Sequence, residues 1–423
     1  MKLVNTSHSA DAAPYNNFPF QCQPDCSVYE RNCDHKAGLD FSLIDIFIEF
    51  KTSLNQDPFS QKQRSKNPRG AGWNPLMSTT SEACRVGGQI VSYATTLLGA
   101  QYRTHAFSVI ITGPFARLIR WDRSGAIVTE QIEYETAPFL FDFLLRYDIA
   151  SKEMRGHDCT VSRPRKEEEK KAREFLGLAD AEPLLSITMP DLYSLEPRNF
   201  IFPRPCAKPN IPAGRCTRTS IAYDVKDNRR VLLKDSWRVV LDDIEPEGRI
   251  YLKLAEKSVP NIPVCVAACD VGEDSYHSSQ TDKFTHNYRT HPGAQKIVPH
   301  RHYRLVLATI GKKLHEFDRS KQMLGAVHAA LLGKLTKCWQ VTQCILTRIT
   351  AHQAACKAGI LHRDISANNI MIVDTVTSGP NVRDGILIDW DLSKAIDSSK
   401  PEVARQFTRT VSKVSDVVCL LSS

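Results

Sequence analysis

Apolar and polar residues alternate along Ile44–Lys51. Ile44, Ile46, Ile48 and Phe50 fall on one side, with Asp45, Phe47, Glu49 and Lys51 on the other, the period of two that predicts a β-strand. Ala106–Thr112, Ala116–Trp121 and Ala126–Ile132 alternate or run apolar around turn residues, and Asp122-Arg-Ser-Gly125 predicts a hairpin between the last two. A second hairpin is predicted from Arg218–Val225 and Arg230–Leu233, with Asp227-Asn228 at its turn. Later, Val341, Ile345 and Ile349 recur every four residues, the stripe of a buried helix face, and Gly359 is placed to close that helix at its C-terminal cap.

Three stretches break this pattern. Residues 54–82 are polar and carry Pro58, Pro68, Gly70, Gly72 and Pro75, which predicts a long loop. Arg163–Arg173 is a dense mixed-charge run, predicting a solvated helix. Glu196–Gly214 is rich in proline, which suits a linker leading into an edge strand. The main border is therefore expected near residue 195. An N-terminal α/β domain would occupy 1–162, a charged helical linker 163–195, and a second domain 196–423. The expected class is α+β, multidomain.

Composition changes this picture little. At 423 residues the chain is long enough for two or three cores, and 42% hydrophobic with 24% charged residues is ordinary for globular protein. No apolar run approaches the length of a membrane span, and the start, Met1-Lys-Leu-Val-Asn-Thr-Ser, lacks the apolar core of a signal peptide. An intracellular protein, cytoplasmic or nuclear and without a membrane partner, is expected. The 13 cysteines then read as thiols. Cys22, Cys26, Cys33 and His35 form the one tight group, but their gaps fit no common zinc pattern, and buried small hydrophobes are the simpler reading. A net charge of +8, spread over the chain, favours an anionic partner such as a nucleotide or nucleic acid without deciding between them.

The chemistry concentrates late in the chain. His362, Arg363, Asp364 and Asn369 have the spacing of a phosphotransfer loop, preceded by a helix and Gly359 and followed by the apolar-then-acidic Ile386-Leu-Ile-Asp389. Phosphoryl transfer needs the nucleotide phosphates held, metal placed on them and the acceptor hydroxyl oriented. Asp364 would orient or accept the acceptor proton, and Asn369 and Asp389 would bind metal. Upstream, Lys234 ends the apolar Val231-Leu-Leu, where a phosphate-pairing lysine belongs. Glu247, opening a helical stretch, is the candidate for its ion-pair partner, with Glu245 and Glu256 as competitors. Gly214 is the candidate for the turn over the phosphates, although Gly214-Arg-Cys-Thr-Arg218 offers one glycine where such loops use several.

Leu233-Lys-Asp-Ser-Trp237, His362-Arg-Asp-Ile-Ser366 with Asn369-Ile-Met371, and Leu387-Ile-Asp-Trp-Asp-Leu392 resemble the fungal-type protein kinase family. So do Gln101-Tyr-Arg-Thr-His105 and Arg117-Leu-Ile-Arg-Trp-Asp-Arg-Ser-Gly125 in the first half. The resemblance implies a bilobal protein-kinase-like domain, with a small lobe over about 196–310 and a large lobe from 311. It also implies ATP and Mg2+ as ligands, a protein or small-molecule acceptor, and a fungal source. Ser366 stands where serine/threonine kinases usually carry a lysine, and Asp389-Trp-Asp391 replaces Asp-Phe-Gly; both leave the acceptor open. After Asp391 the chain continues only to Ser423, too short a stretch for the usual large-lobe helices. An incomplete C-lobe, with phosphotransfer weakened or lost, is the expectation, and a non-catalytic pseudokinase or interaction protein is the alternative.

A second constellation lies in the first half. Asp25, following Pro24, and Glu49 could hold magnesium, while Lys51 shares a strand face with Glu49 and would steady a phosphate or hydroxide. Gln89 and Tyr93, four apart, would share a helix face. The set resembles the PD-(D/E)xK nuclease core of RecB-like members, a restriction-endonuclease-like fold. That resemblance implies a metal-dependent nuclease or nucleic-acid-binding module as a further alternative. An exposed Glu–Lys pair on an α/β platform would look the same in sequence.

Overall fold

A computed structural model describes residues 1–9, 22–33, 38–59, 77–180, 182–205, 209–272, 275–287, 297–331, 351–373 and 385–396. The chain divides into two units. The first holds Met1–Ser162, Cys206–Arg218 and Val271–His302; the second holds Arg163–Pro205, Thr219–Asp270 and Tyr303–Ser423. The stripe of Val341, Ile345 and Ile349, His35, and everything after Ile396 lie outside the described residues.

In the first unit, β1 (Lys2–Asn5), β2 (Cys26–Tyr29), β3 (Ile44–Lys51), β4 (Ala106–Thr112), β5 (Phe115–Asp122) and β6 (Gly125–Val128) pair in chain order, with β7 (Ile132–Glu133) also on β5. Only β3 and β4 run parallel, Ile46 opposite Phe107 to Lys51 opposite Thr112. Parallel neighbours need a crossover, and α1 (Ser81–Ala100) supplies it. Thr80 caps α1 by accepting the Ala83 N–H at 3.3 Å. The alternation in β3 then sorts its side chains. Phe47 packs with Val86, Ile90, Tyr93 and Leu97 of α1. Ile46 and Ile48 pack on the opposite face with Val109, Ile111 and residues Leu140, Phe143, Leu144 and Tyr147 of α2 (Phe139–Ile149). Each fully buried aliphatic or aromatic side chain contributes about 1.5–3 kcal/mol.

Polar residues stitch this unit. Gln101 Nε2 donates to the carbonyls of Phe41 and Ile44 at 2.8 and 2.7 Å. Arg103, fully buried, pairs with Asp45 at 2.6 Å. The Asp122–Gly125 turn closes as expected, with Asp122 Oδ1 accepting the Ser124 N–H at 2.9 Å.

A second sheet, lying mostly in the second unit, is ordered β12-β13-β11-β10-β9-β8, from β8 (Leu185–Pro190), β9 (Pro197–Phe202), β10 (Arg218–Asp224), β11 (Arg229–Val239), β12 (Cys265–Asp270) and β13 (His300–Leu307). The charge run forms the mostly exposed helix α3 (Lys166–Leu176), ended by left-handed Gly177. The proline-rich stretch, expected to lead into an edge strand, instead supplies an internal one: β9 has a neighbour on each side. Its prolines fall at Pro197 and beyond Phe202, at strand ends where a missing N–H costs no interior ladder bond.

Helix α4 (Glu247–Glu256) lies between β11 and β12 in the chain. Beyond the sheet come β14 (Lys312–Lys313), α5 (Ser320–Leu331), α6 (Ala351–Lys357), β15 (Ile360–Leu361), β16 (Ile370–Ile372), β17 (Gly385–Leu387) and β18 (Lys394–Ala395). The main core joins Ile250, Tyr251 and Leu254 of α4, Leu305 and Leu307 of β13, Val327 of α5, and Ile365, Ile370, Leu387 and Trp390. Among the described residues no helix is long and apolar enough to cross a membrane.

Candidate active site

The side chains of interest in the second unit come from β11, the first turn of α4, the loop after β15 and the segment after β17. In β11, Val231 and Leu233 are buried, and the alternation sends Lys234 to the other face. Lys234 Nζ donates to Glu247 Oε2 at 2.8 Å and to the Asp389 carboxylate. Glu247 Oε1 accepts the Trp390 N–H at 3.1 Å, so one buried carboxylate holds both the lysine and the chain just after Asp389. Of the competing glutamates, Glu245 pairs with exposed Lys253 at 2.6 Å, and Glu256 ends α4.

Glu247 is placed by its neighbour. The Gly248 N–H donates to Tyr303 Oη at 2.8 Å, and a Cβ at this position would fall 2.3 Å from the Ala268 Cβ. Glycine therefore permits the first turn of α4 to lie against β12 and β13.

Gly359, with φ of 81°, ends α6, and β15 leads into the loop. His362 is fully buried, its ring edge-on to Trp390 with centroids 4.5 Å apart. Its partners fix the tautomer: Nε2–H donates to the Ile388 carbonyl at 2.9 Å, and Nδ1 accepts the Asp364 N–H at 3.3 Å. Burial holds its pKa below the ordinary histidine value, in keeping with a neutral ring. Asn369 Nδ2 donates to the Asp364 carbonyl at 2.7 Å, with its side oxygen Oδ2 at 3.4 Å. The Ile388 N–H returns to the Asn369 carbonyl at 2.9 Å. The loop carrying Asp364 and Asn369 and the strand leading to Asp389 are thus tied together by backbone and imidazole. Arg363 and Asp389 both sit at left-handed φ, 70° and 65°. Such conformations cost about 1–3 kcal/mol each and persist where the surroundings over-determine them.

Burial alone would lower the Lys234 amine, but Glu247, Asp389 and Asp391 outweigh it and hold the pKa above the ordinary lysine range. Glu247 is raised, first by burial and then by the two aspartates, against the opposing pull of Lys234. One ammonium is shared among three carboxylates. Asp391 is the member that sequence reasoning left without a role. It was visible in Asp389-Trp-Asp391, yet only the folded geometry shows its charge acting on Lys234. Gly214 belongs to the first unit, where its N–H donates to the Arg123 carbonyl at 2.7 Å.

In the first unit the second constellation also gathers. Glu49, 1% exposed, pairs through Oε1 with Lys51 and accepts Gln89 Nε2 at 2.7 Å. Gln89 Nε2 also lies 2.7 Å from Tyr93 Oη, which donates to the Gln23 carbonyl at 2.9 Å. Asp25 Oδ2 accepts the Phe50 N–H at 2.8 Å. Burial raises Glu49 despite Lys51, and pushes Tyr93 up to about 12. Glu49 Oε2 is buried with no hydrogen-bond partner.

Comparison with known proteins adds a family. The fungal protein kinase family model matches residues 76–415, most of the chain. No curated protein matches it. Among solved structures, the ROP18 kinase domain in complex with AMP-PNP and sucrose aligns at 12% identity and a TM-score of 0.26, over 55% of this chain and 62% of that domain. The aligned region thus spans less than two thirds of the ROP18 chain.

Proposed function

The chain belongs to the fungal protein kinase family, and on that premise we propose that its second unit is an ATP-dependent phosphotransferase acting on a hydroxyl. The observation that carries this reading is Lys234, bound at once to Glu247 and Asp389, with Asp389 tied through Ile388 to the loop of Asp364 and Asn369.

The donor set suits magnesium, a hard cation that takes carboxylate and amide oxygens. Three carboxylates against one ammonium leave a local excess of negative charge for it. Asp389 and Asn369 would hold the ion, which when bound supplies charge neutralisation on the phosphates. The chain's own residues do the rest. Lys234, kept protonated by its carboxylates, offers N–H donors to phosphate oxygens. Glu247 fixes that lysine and the backbone at Trp390. Asp364 orients the acceptor hydroxyl and takes its proton, and Asn369 Nδ2 anchors the Asp364 backbone. The acceptor class is a serine- or threonine-like hydroxyl of a protein or a small molecule.

Label transfer from ATP to a mixed panel of hydroxyl-bearing peptides and small polyols tests this. Asp364→Asn is expected to lower transfer about 10²–10⁴-fold while ATP binding persists. Equal transfer by wild type and variant would remove Asp364 from the chemistry.

A second reading rests on Glu49 Oε2, a buried carboxylate oxygen without a partner, in a cluster with Asp25 and Lys51. We propose that this cluster takes a divalent cation and, with it, a phosphodiester backbone. Manganese titration is expected to lose one bound ion in Glu49→Ala and to keep that ion in Asp389→Asn. Binding unaffected by Glu49→Ala would end this reading.

A further inference from the structure

Two clusters of the first unit bring histidine and carboxylate side chains together. In one, Glu30, Asp45 and His157 approach each other, but Asp45 already pairs with Arg103 at 2.6 Å and Arg155 at 3.0 Å. Two guanidiniums neutralise that carboxylate and would repel a cation. The other cluster is formed by Asp158, His277 and His302.

Its three side chains are 6%, 5% and 3% exposed, and their ligating atoms lie within 4.8 Å of one another. The imidazoles of His277 and His302 stack at an interplanar angle of 16°, with centroids 5.3 Å apart. Their Nδ1 atoms are 3.0 Å apart, so one donates and the other accepts. The Asp158 carboxylate stands 3.9 Å from His277 Nε2 and 3.9 Å from His302 Nδ1, beyond hydrogen-bond reach. Ligand atoms around a tetrahedral zinc at about 2.0–2.2 Å sit about 3.3–3.6 Å from each other. Taking one ligand atom from each residue, the three lie within 4.8 Å of one another, so a bound ion would draw them closer and replace the Nδ1–Nδ1 hydrogen bond.

The backbone holds each ligand in place independently. The Val271 N–H donates to the His302 carbonyl and the Ser279 N–H to the His300 carbonyl, both at 2.9 Å, so the segment bearing His277 is strapped along the start of β13. Gly272, at φ 59°, lies so close to the His277 ring that a Cβ would fall 2.8 Å from its Cδ2. Asp158 is fixed by its N–H to the Tyr102 carbonyl at 3.1 Å and by accepting the Thr160 N–H at 3.0 Å. Three donors from distant parts of the sequence therefore converge in a buried setting.

We propose that Asp158, His277 and His302 form a site for a zinc-class divalent metal, tying the turn that bears His277 to the start of β13 and to Asp158. Two imidazole nitrogens and one carboxylate oxygen suit zinc or cobalt, whereas magnesium and calcium prefer all-oxygen sets. Three protein ligands leave the fourth position for water. Nucleotide binding in the second unit plays no part in it.

The test uses the full chain, stripped by chelator and titrated with Co2+ and then Zn2+. The wild type is expected to develop ligand-field absorption from a single tight equivalent of cobalt, abolished by zinc, and to melt higher as zinc rises. His277→Gln and His302→Gln are expected to weaken binding by more than the roughly 10–100-fold that loss of an outer partner costs. Asp158→Asn keeps the side chain's shape and removes its charge, so it decides the matter if the histidine variants fail to fold. Asp389→Asn is expected to leave the cobalt spectrum unchanged. No tight cobalt in the wild type, or a spectrum and affinity unaltered by Asp158→Asn, would overturn the site.

Discussion

Lys234 is a cation claimed by Glu247 and Asp389 through contact and by Asp391 through charge. Truncating one partner of such a buried set leaves the others unneutralised, which typically costs about 3–5 kcal/mol. Lys234→Ala is therefore expected to lower stability by that order in denaturant unfolding. Pairing it with Glu247→Gln is expected to restore part of the loss, because a neutral amide tolerates burial better than an unpaired carboxylate. If the double variant is less stable by the sum of the single losses, the pair is not coupled. Trp390 makes a similar point for packing. It is fully buried, and its Nε1–H donates to the Leu387 carbonyl at 3.0 Å. Trp390→Ala is expected to cost about 3–5 kcal/mol, read as a lower midpoint of unfolding.

At the level of elements, what could be read in sequence is what depends on near neighbours. Ile44–Lys51 is a strand because its alternation is local, and the Asp122–Gly125 turn and the spacing from His362 to Asn369 are local too. What could not be read depends on residues that meet only after folding. Nothing near Glu247 says that its carboxylate takes the N–H of Trp390, and nothing near His362 names Ile388 as its partner. Nor does local pattern assign Cys206–Arg218 and Val271–His302 to the first unit. The internal place of β9 was missed for the same reason, since proline content reports strand ends and not neighbours. Gly248 tests how far α4 depends on one close approach. Gly248→Ala is expected to cost about 1–3 kcal/mol through overpacking against Ala268 and Tyr303, and to weaken ATP binding by displacing Glu247. Unchanged ATP affinity in a folded Gly248→Ala protein would uncouple the helix position from the site.

Across the whole molecule, buried histidines set a shared acid limit. Burial lowers His105 to about 3 and His352 to about 4, and lowers His362 as well. The unfolded chain binds these protons near pH 6.5, whereas the folded chain refuses them until much lower pH. Their contribution is complete above about pH 6.5 and is lost as pH falls toward 4 and then 3, at about 1.4 kcal/mol per unit at a buried site. Unfolding free energies from pH 7 to 4 are expected to decline over that window, with a shallower slope in His352→Gln. A flat profile would mean that these rings are solvated. The most direct test of the phosphotransferase reading is calorimetric titration of the full chain with ATP, with and without magnesium, beside Lys234→Ala and Asp389→Asn. Binding that requires magnesium, and that both variants lose, is the expected result. No binding by the wild type, or binding indifferent to magnesium and to Lys234, would contradict it.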